Sequence, residues 1–166
     1  KKLTANELYE LLIQWSNDYP IISIEDPFNE DDKDSFKKIT KNLGNKIQIV
    51  GDDLLVTNPE LIKDAKINNL CNAVLIKPNQ IGTISDTYEA IKQTNLNNWD
   101  SIISARSGET EDNIIMQLAV GFKIKQIKVG SFSRSERMSK WNEGLRIGKY
   151  LNNYSLAKTN NFLWNK

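Results

Sequence analysis

Five short apolar runs of this chain each end in a charged residue. Glu25 closes "IISIE", Asp52 ends the apolar part of "IQIVGDD", Lys77 closes "AVLIK", Arg106 closes "SIISAR" and Lys128 lies in "QIKVG". Successive separations are 27, 25, 29 and 22 residues, about one strand-plus-helix unit each. Glu25 and Asp52 are carboxylates of the kind that hold a hard divalent cation, which takes one or two carboxylates and keeps its waters. Their immediate neighbours Asp26 and Asp53 are rival ligands, and capping or salt-bridging acids would be the plainer reading of all four. Lys77 ends a buried run, so it either snorkels out of the sheet or is held as a base with a lowered pKa. Arg106 and Ser107 offer a planar cationic fork and a hydroxyl, suited to carboxylate or phosphate, and Lys128 adds a further cation. Together these parts suit an anionic substrate bridged to a metal. They fit proton abstraction beside a carboxylate, with the metal stabilising enolate-like charge and the cations favouring a basic lysine.

Such convergence needs elements that bring five distant residues to one place. The runs Ile21 to Glu25, Ile47 to Asp53, Ala73 to Lys77, Ser101 to Arg106 and Gln126 to Gly130 are near-continuously apolar. That is the pattern of parallel strands covered on both faces. Helical patterns lie between them. Thr4 with Glu7 forms a capping box before "LYELLIQW", and Asn58-Pro59 supplies a cap and a first-turn proline before "ELIKDAKI". Thr110 is read as the start of the helix "EDNIIMQLAV", with acids in its first turn. The last helix is expected from Ser135 to Leu151 with Met138, Trp141, Leu145 and Ile147 on its apolar face. A run of βα units with right-handed crossovers stacks helices outside a parallel sheet, and working groups then gather at the carboxyl ends of the strands.

The composition removes several alternatives. The 166 residues suffice for one domain with a core; 22 basic residues are interspersed with 21 acidic ones, for a formal charge of +1. Nothing in that balance argues for nucleic acid or a membrane surface. The absence of histidine excludes an imidazole base, a serine–histidine triad and a histidine-ligated metal within the chain. The single cysteine, Cys71, is read as a packed thiol. No apolar stretch reaches the ~20 residues of a membrane span and no signal peptide is visible, so a cytoplasmic location is expected. Trp15, Trp99 and Trp141 are expected as core or interface anchors.

Six stretches, "YPIISIEDPF", "KIQIVGDDLLVTNPE", "LIKPNQIGT", "ARSGETED", "QIKVGSFSRSER" and "LRI", occur in the order in which the enolase family carries them. Over about residues 2–150 the chain resembles enolase, phosphopyruvate hydratase, a glycolytic lyase that dehydrates 2-phosphoglycerate to phosphoenolpyruvate. The resemblance implies a partial (β/α) TIM-type barrel of about five units in residues 1–150, with a divergent, asparagine-rich tail over 151–166 that could dock elsewhere. It implies Glu25 and Asp52 as two Mg2+ ligands and Lys77 as the general base. It further implies Arg106 and Ser107 as the residues on the substrate phosphate, and Lys128 on its carboxylate.

The departures from the family pattern are informative. Ala105 stands where the family places an active-site histidine, and Lys33 where it usually carries tryptophan. The family's third magnesium carboxylate, its glutamate general acid and its mobile loops would all precede this stretch. A protein partner, or an N-terminal half carried elsewhere, is therefore expected to complete the barrel, and the isolated chain is expected to be inactive. Two other readings stay open. One is a degenerate, enolase-derived structural subunit of a larger assembly; the other is an enolase-like enzyme acting on a different phosphorylated acid.

Overall fold

The computed structural model describes residues 2–158, 160 and 162. All five apolar runs form strands, each shorter than its run: β1 (Ser23–Glu25), β2 (Gln48–Gly51), β3 (Ala73–Ile76), β4 (Asp100–Ser104) and β5 (Gln126–Lys128). They pair in parallel in the order β1-β2-β3-β4-β5, each strand beside its chain neighbour. The helices between them are α1 (Ala5–Asp18), α2 (Lys33–Leu43), α3 (Pro59–Asn68), the single turn α4 (Pro78–Ile81), α5 (Ile84–Leu96), α6 (Ile114–Gly121) and α7 (Ser135–Tyr150). This is a half-barrel of parallel strands with its helices outside.

Strand alternation divides the core in two. Ile49, Val74, Ile76 and Ile103 face the helices and join Phe36, Ile39, Ile62, Ala90 and Ile91 in the main cluster. Val50, Ala73 and Leu75, with Ile102 against them, form a separate, smaller cluster. By the same two-residue period, Asp52, Lys77 and Ser104 follow Val50, Leu75 and Ile102 on the face away from the helices. Coverage on both faces holds for β2 and β3, which are buried throughout, and for β4 apart from Ile102; it fails at the edges. Ser23 and Glu25 of β1 and Lys128 of β5 are exposed, because each edge strand has a neighbour on one side only.

One ion pair records how strongly the sheet curls. Lys128 Nζ lies 2.7 Å from Glu25 Oε1, joining the tips of the two edge strands. Across a flat five-stranded sheet those tips would be about 19 Å apart, four spacings of ~4.8 Å. Two side chains meeting end to end do not bridge that gap. The curl of a barrel wall is therefore present in the five units alone.

Local signals set most helix starts. Thr4 and Glu7 make the expected reciprocal capping box. Asn58 accepts from the N–H groups of Glu60 and Leu61, with Pro59 opening α3. Two expectations are corrected. Helix α6 begins at Ile114 after Asn113, leaving Thr110 and the acids Glu111 and Asp112 in the preceding loop, because side chains of α7 hold that loop. In α7, which ends at Tyr150, Leu145 is 63% exposed while Arg137 and Lys140 are buried. Lys33 opens α2 and pairs with Asp64 of α3 at 3.0 Å on the surface, while Asp32 caps the helix by accepting the Ser35 N–H. Trp99 is buried and Trp141 half-buried beside Phe132, whereas Trp15 is 42% exposed. Through residue 158 the expected tail has no helix or strand; Tyr154 packs against Gly148, and positions 159, 161 and 163–166 lie outside the described residues.

Candidate functional site

The strand ends place the charged residues at one rim. Glu25 and Lys128 are the last residues of β1 and β5, Asp52 and Lys77 follow β2 and β3 by one position, and Arg106 follows β4 by two. Lys77 Nζ donates to Asp52 Oδ2 at 2.6 Å, and both side chains are only 10% exposed. The other oxygen, Asp52 Oδ1, is buried and has no hydrogen-bond partner among the described residues. A buried carboxylate oxygen is costly to leave unpaired, so this atom is poised for a ligand.

Asp26 turns back into the rim at φ 39°. Its Oδ1 accepts from the Asp52 N–H at 2.9 Å and its Oδ2 from the Asp53 N–H. Burial pushes the Asp26 carboxyl up, against those two backbone donors, and the charges of Asp52 and Asp53 raise it further. The carboxylates of Asp26, Asp52 and Asp53 each bring an oxygen within 4.8 Å of the others. Glu25 is not in that cluster; both its oxygens accept from Lys128 Nζ, at 2.7 and 2.8 Å. The two carboxylates read as metal ligands thus sit in different settings, one against Lys77 and one against Lys128.

Lys77 is fixed from below by Thr57, whose hydroxyl accepts the Lys77 N–H at 3.0 Å and donates to Gln80 Oε1 at 3.0 Å. Thr57 is fully buried in the left-handed region at φ 58°, a conformation no simple pattern in the chain announces. Beside the pair, Arg106 donates to Asn79 Oδ1 at 3.2 Å. Ala105, Arg106, Ser107, Lys128, Val129, Gly130, Ser131, Arg134 and Arg137 line a cleft of about 320 Å3. Four cationic side chains border it, so it suits an anion. The Ala105 N–H donates to the Lys128 carbonyl at 2.8 Å, which seats the methyl group where β4 and β5 leave the sheet.

The sequence reading missed Asn79, Thr57, Arg137 and Lys140, none of which ends a strand. Arg137 and Lys140 stand three apart on α7, and that spacing was open to notice. Cys71 is buried as expected; burial pushes its thiol up, with Asp26 adding to the effect. Among the described residues no helix is long and apolar enough to cross a membrane.

Comparison with known proteins adds a second line of evidence. The family model described as "Enolase, C-terminal TIM barrel domain" matches residues 1–165. The chain is 55% identical over 150 residues to the protein named Enolase of Ehrlichia canis (strain Jake), covering 90% of this chain and 36% of that protein. It is 54% identical over 156 residues to that of Anaplasma marginale (strain St. Maries), covering 94% and 36%. To that of Eimeria tenella it is 49% identical over 149 residues, covering 90% and 34%. The chain thus spans about a third of the length of these relatives.

Proposed function

The chain belongs to the enolase C-terminal TIM barrel family, and from that footing we propose that it is the carboxyl-terminal part of an enolase. The reaction is the magnesium-dependent dehydration of 2-phosphoglycerate to phosphoenolpyruvate and water. The observation that carries this reading is the buried Lys77–Asp52 pair, with Asp52 Oδ1 unpartnered among the described residues, on the same strand-end rim as the cationic cleft. Division into a barrel portion, 1–150, and a separate tail, 151–166, belongs to the same proposal.

In this reading Lys77 Nζ first releases one of its own protons to solvent; the neutral amine then takes the proton from the carbon beside the substrate carboxylate, and Asp52 again holds the ammonium so formed. Arg106 and Ser107 hold the phosphate. Lys128 holds the carboxylate once it parts from Glu25, an exchange of one exposed carboxylate for another. The departing hydroxyl needs a proton from an acid outside this chain.

The carboxylate oxygens suit a magnesium ion: Asp52 supplies an unpartnered hard oxygen, and Glu25, the second carboxylate in this reading, has first to leave Lys128. Asp53 remains a rival ligand, whereas each oxygen of Asp26 already accepts a backbone N–H. Bound there, magnesium would withdraw electron density from the substrate carboxylate and make the adjacent C–H more acidic.

A second reading, a structural subunit derived from the same family, draws on Ala105 at the histidine position and on Glu25 and Lys128 satisfying each other. Mixing the chain with the N-terminal portion of an enolase separates the two. Magnesium-dependent formation of phosphoenolpyruvate, lost on Lys77→Ala, supports the enzyme. A stable complex without turnover, unchanged by Ala105→His, overturns it in favour of the structural reading.

A further inference from the structure

The roles given to Arg106 and Ser107 require a fixed loop, yet both residues lie outside any helix or strand. What holds them comes from α7. Arg137 is 8% exposed, and its guanidinium donates to three main-chain carbonyls: Arg106 at 2.7 Å, Ser107 at 3.0 Å and Val129 at 3.0 Å. One planar group thereby ties the segment after β4 to the segment after β5. The chain passes close at Gly130, where φ is +103° and a Cβ would stand 3.6 Å from Arg137 Cδ and Nε.

Three residues along the helix, Lys140 is almost wholly buried. It donates to the Thr110 carbonyl at 2.7 Å and pairs with Glu109 at 2.8 Å. Glu109 in turn accepts the Arg106 N–H at 2.7 Å. The loop carbonyls of Arg106, Ser107 and Thr110 are thus all bound by α7, while Arg106 and Ser107 also border the anion cleft.

We propose that Arg137 is a positioning residue for that cleft: its guanidinium, backed by the Lys140–Glu109 pair, fixes the loop that presents Arg106 and Ser107. The proposal rests on the reading of those two residues as the anion-holding pair. Lysine does not replace arginine here, because its donors radiate from one nitrogen and do not span carbonyls on two loops in one plane.

The test uses the full 166-residue chain with inorganic phosphate as the probe, followed by amide NMR. Arg137→Lys is expected to keep the strand signals, to shift or broaden the amides of residues 106–110, and to weaken phosphate binding about tenfold or more. Glu109→Gln keeps an acceptor for the Arg106 N–H but removes the negative charge that faces Lys140, and should show the same changes to a smaller extent. A folded Arg137→Lys chain with unaltered loop signals overturns the proposal whatever its phosphate affinity, because Arg137 also borders the cleft and could weaken phosphate binding directly. Should Arg137→Lys fail to fold, Glu109→Gln decides by the same two readouts. If the unaltered chain binds no phosphate, the phosphate role of Arg106 and Ser107 falls; the loop signals still decide positioning, changed supporting it and unchanged overturning it.

Discussion

At Lys77 and Asp52 two opposite charges lie 2.6 Å apart with a tenth of either side chain exposed. Breaking a buried pair from one side strands the other charge, which costs about 3–5 kcal/mol, whereas removing both charges costs far less. Lys77→Met should therefore destabilise the chain by that order, and the Lys77→Met/Asp52→Asn double variant should recover much of the loss in urea unfolding. Simple additivity of the two single changes would mean the pair is not coupled as the geometry states. Magnesium adds a second arm. With the ammonium gone, Asp52 presents two unpaired oxygens, so the ion should raise the melting temperature of Lys77→Met more than that of the unaltered chain. It should leave Asp52→Asn nearly unmoved.

Between residues and the whole stand the loops and caps, and here the sequence was unevenly informative. The Thr4–Glu7 box and the Asn58-Pro59 start are contacts within three residues, so local pattern reveals them. Five parallel strands were readable for a related reason: near-continuous apolar runs report burial directly. Asn72 carried no such signal. Its amide donates to the carbonyls of Gly44 and Ile47, and its Oδ1 accepts the Ile49 N–H at 2.7 Å, all more than twenty residues away. Asn72→Ala should accordingly cost about 1–3 kcal/mol by leaving buried groups unpaired, against about 1 kcal/mol for the cap change Asn58→Ala. Thermal melts of the two variants give that order or refute it. Thr110 was misread as a helix start because its carbonyl is claimed by Lys140, thirty residues on. The same loop makes a pH prediction. Burial would raise the Glu109 carboxyl, but the Lys140 ammonium, the Arg106 N–H and the Arg137 charge together hold it below the ordinary glutamate value of 4.5. A depressed carboxyl contributes stability that is present above that value and lost as pH falls through the folded-state one. Loop amides 106–110 should stay sharp at neutral pH and lose order on acidification below about pH 4.5. In Glu109→Gln that acid limb should flatten; an identical limb would place the titration elsewhere.

For the molecule as a whole, the governing fact is a curled sheet whose two outer strands are paired on one side only. Each edge is short, three residues ending in a charge, which limits its use as a template for another chain's strand. The ion pair across the rim does little to hold the curl. At 52% and 33% side-chain exposure Lys128 and Glu25 contribute about 0–1 kcal/mol, so the curvature is set by the cores on either side of β2, β3 and β4. Opening free energies should follow the same gradient, greatest in the buried central strands and least at the edges. Amide exchange should then be slowest in β3, whose four residues are fully buried, and fastest in β1 and β5. If the chain is the carboxyl-terminal part of a closed barrel, adding the complementary N-terminal portion gives β1 and β5 the neighbours they lack. Protection should rise there and leave β3 nearly as it was, because β3 already has both partners. Uniform protection along all five strands would instead indicate association through the outer helices, and a barrel left open.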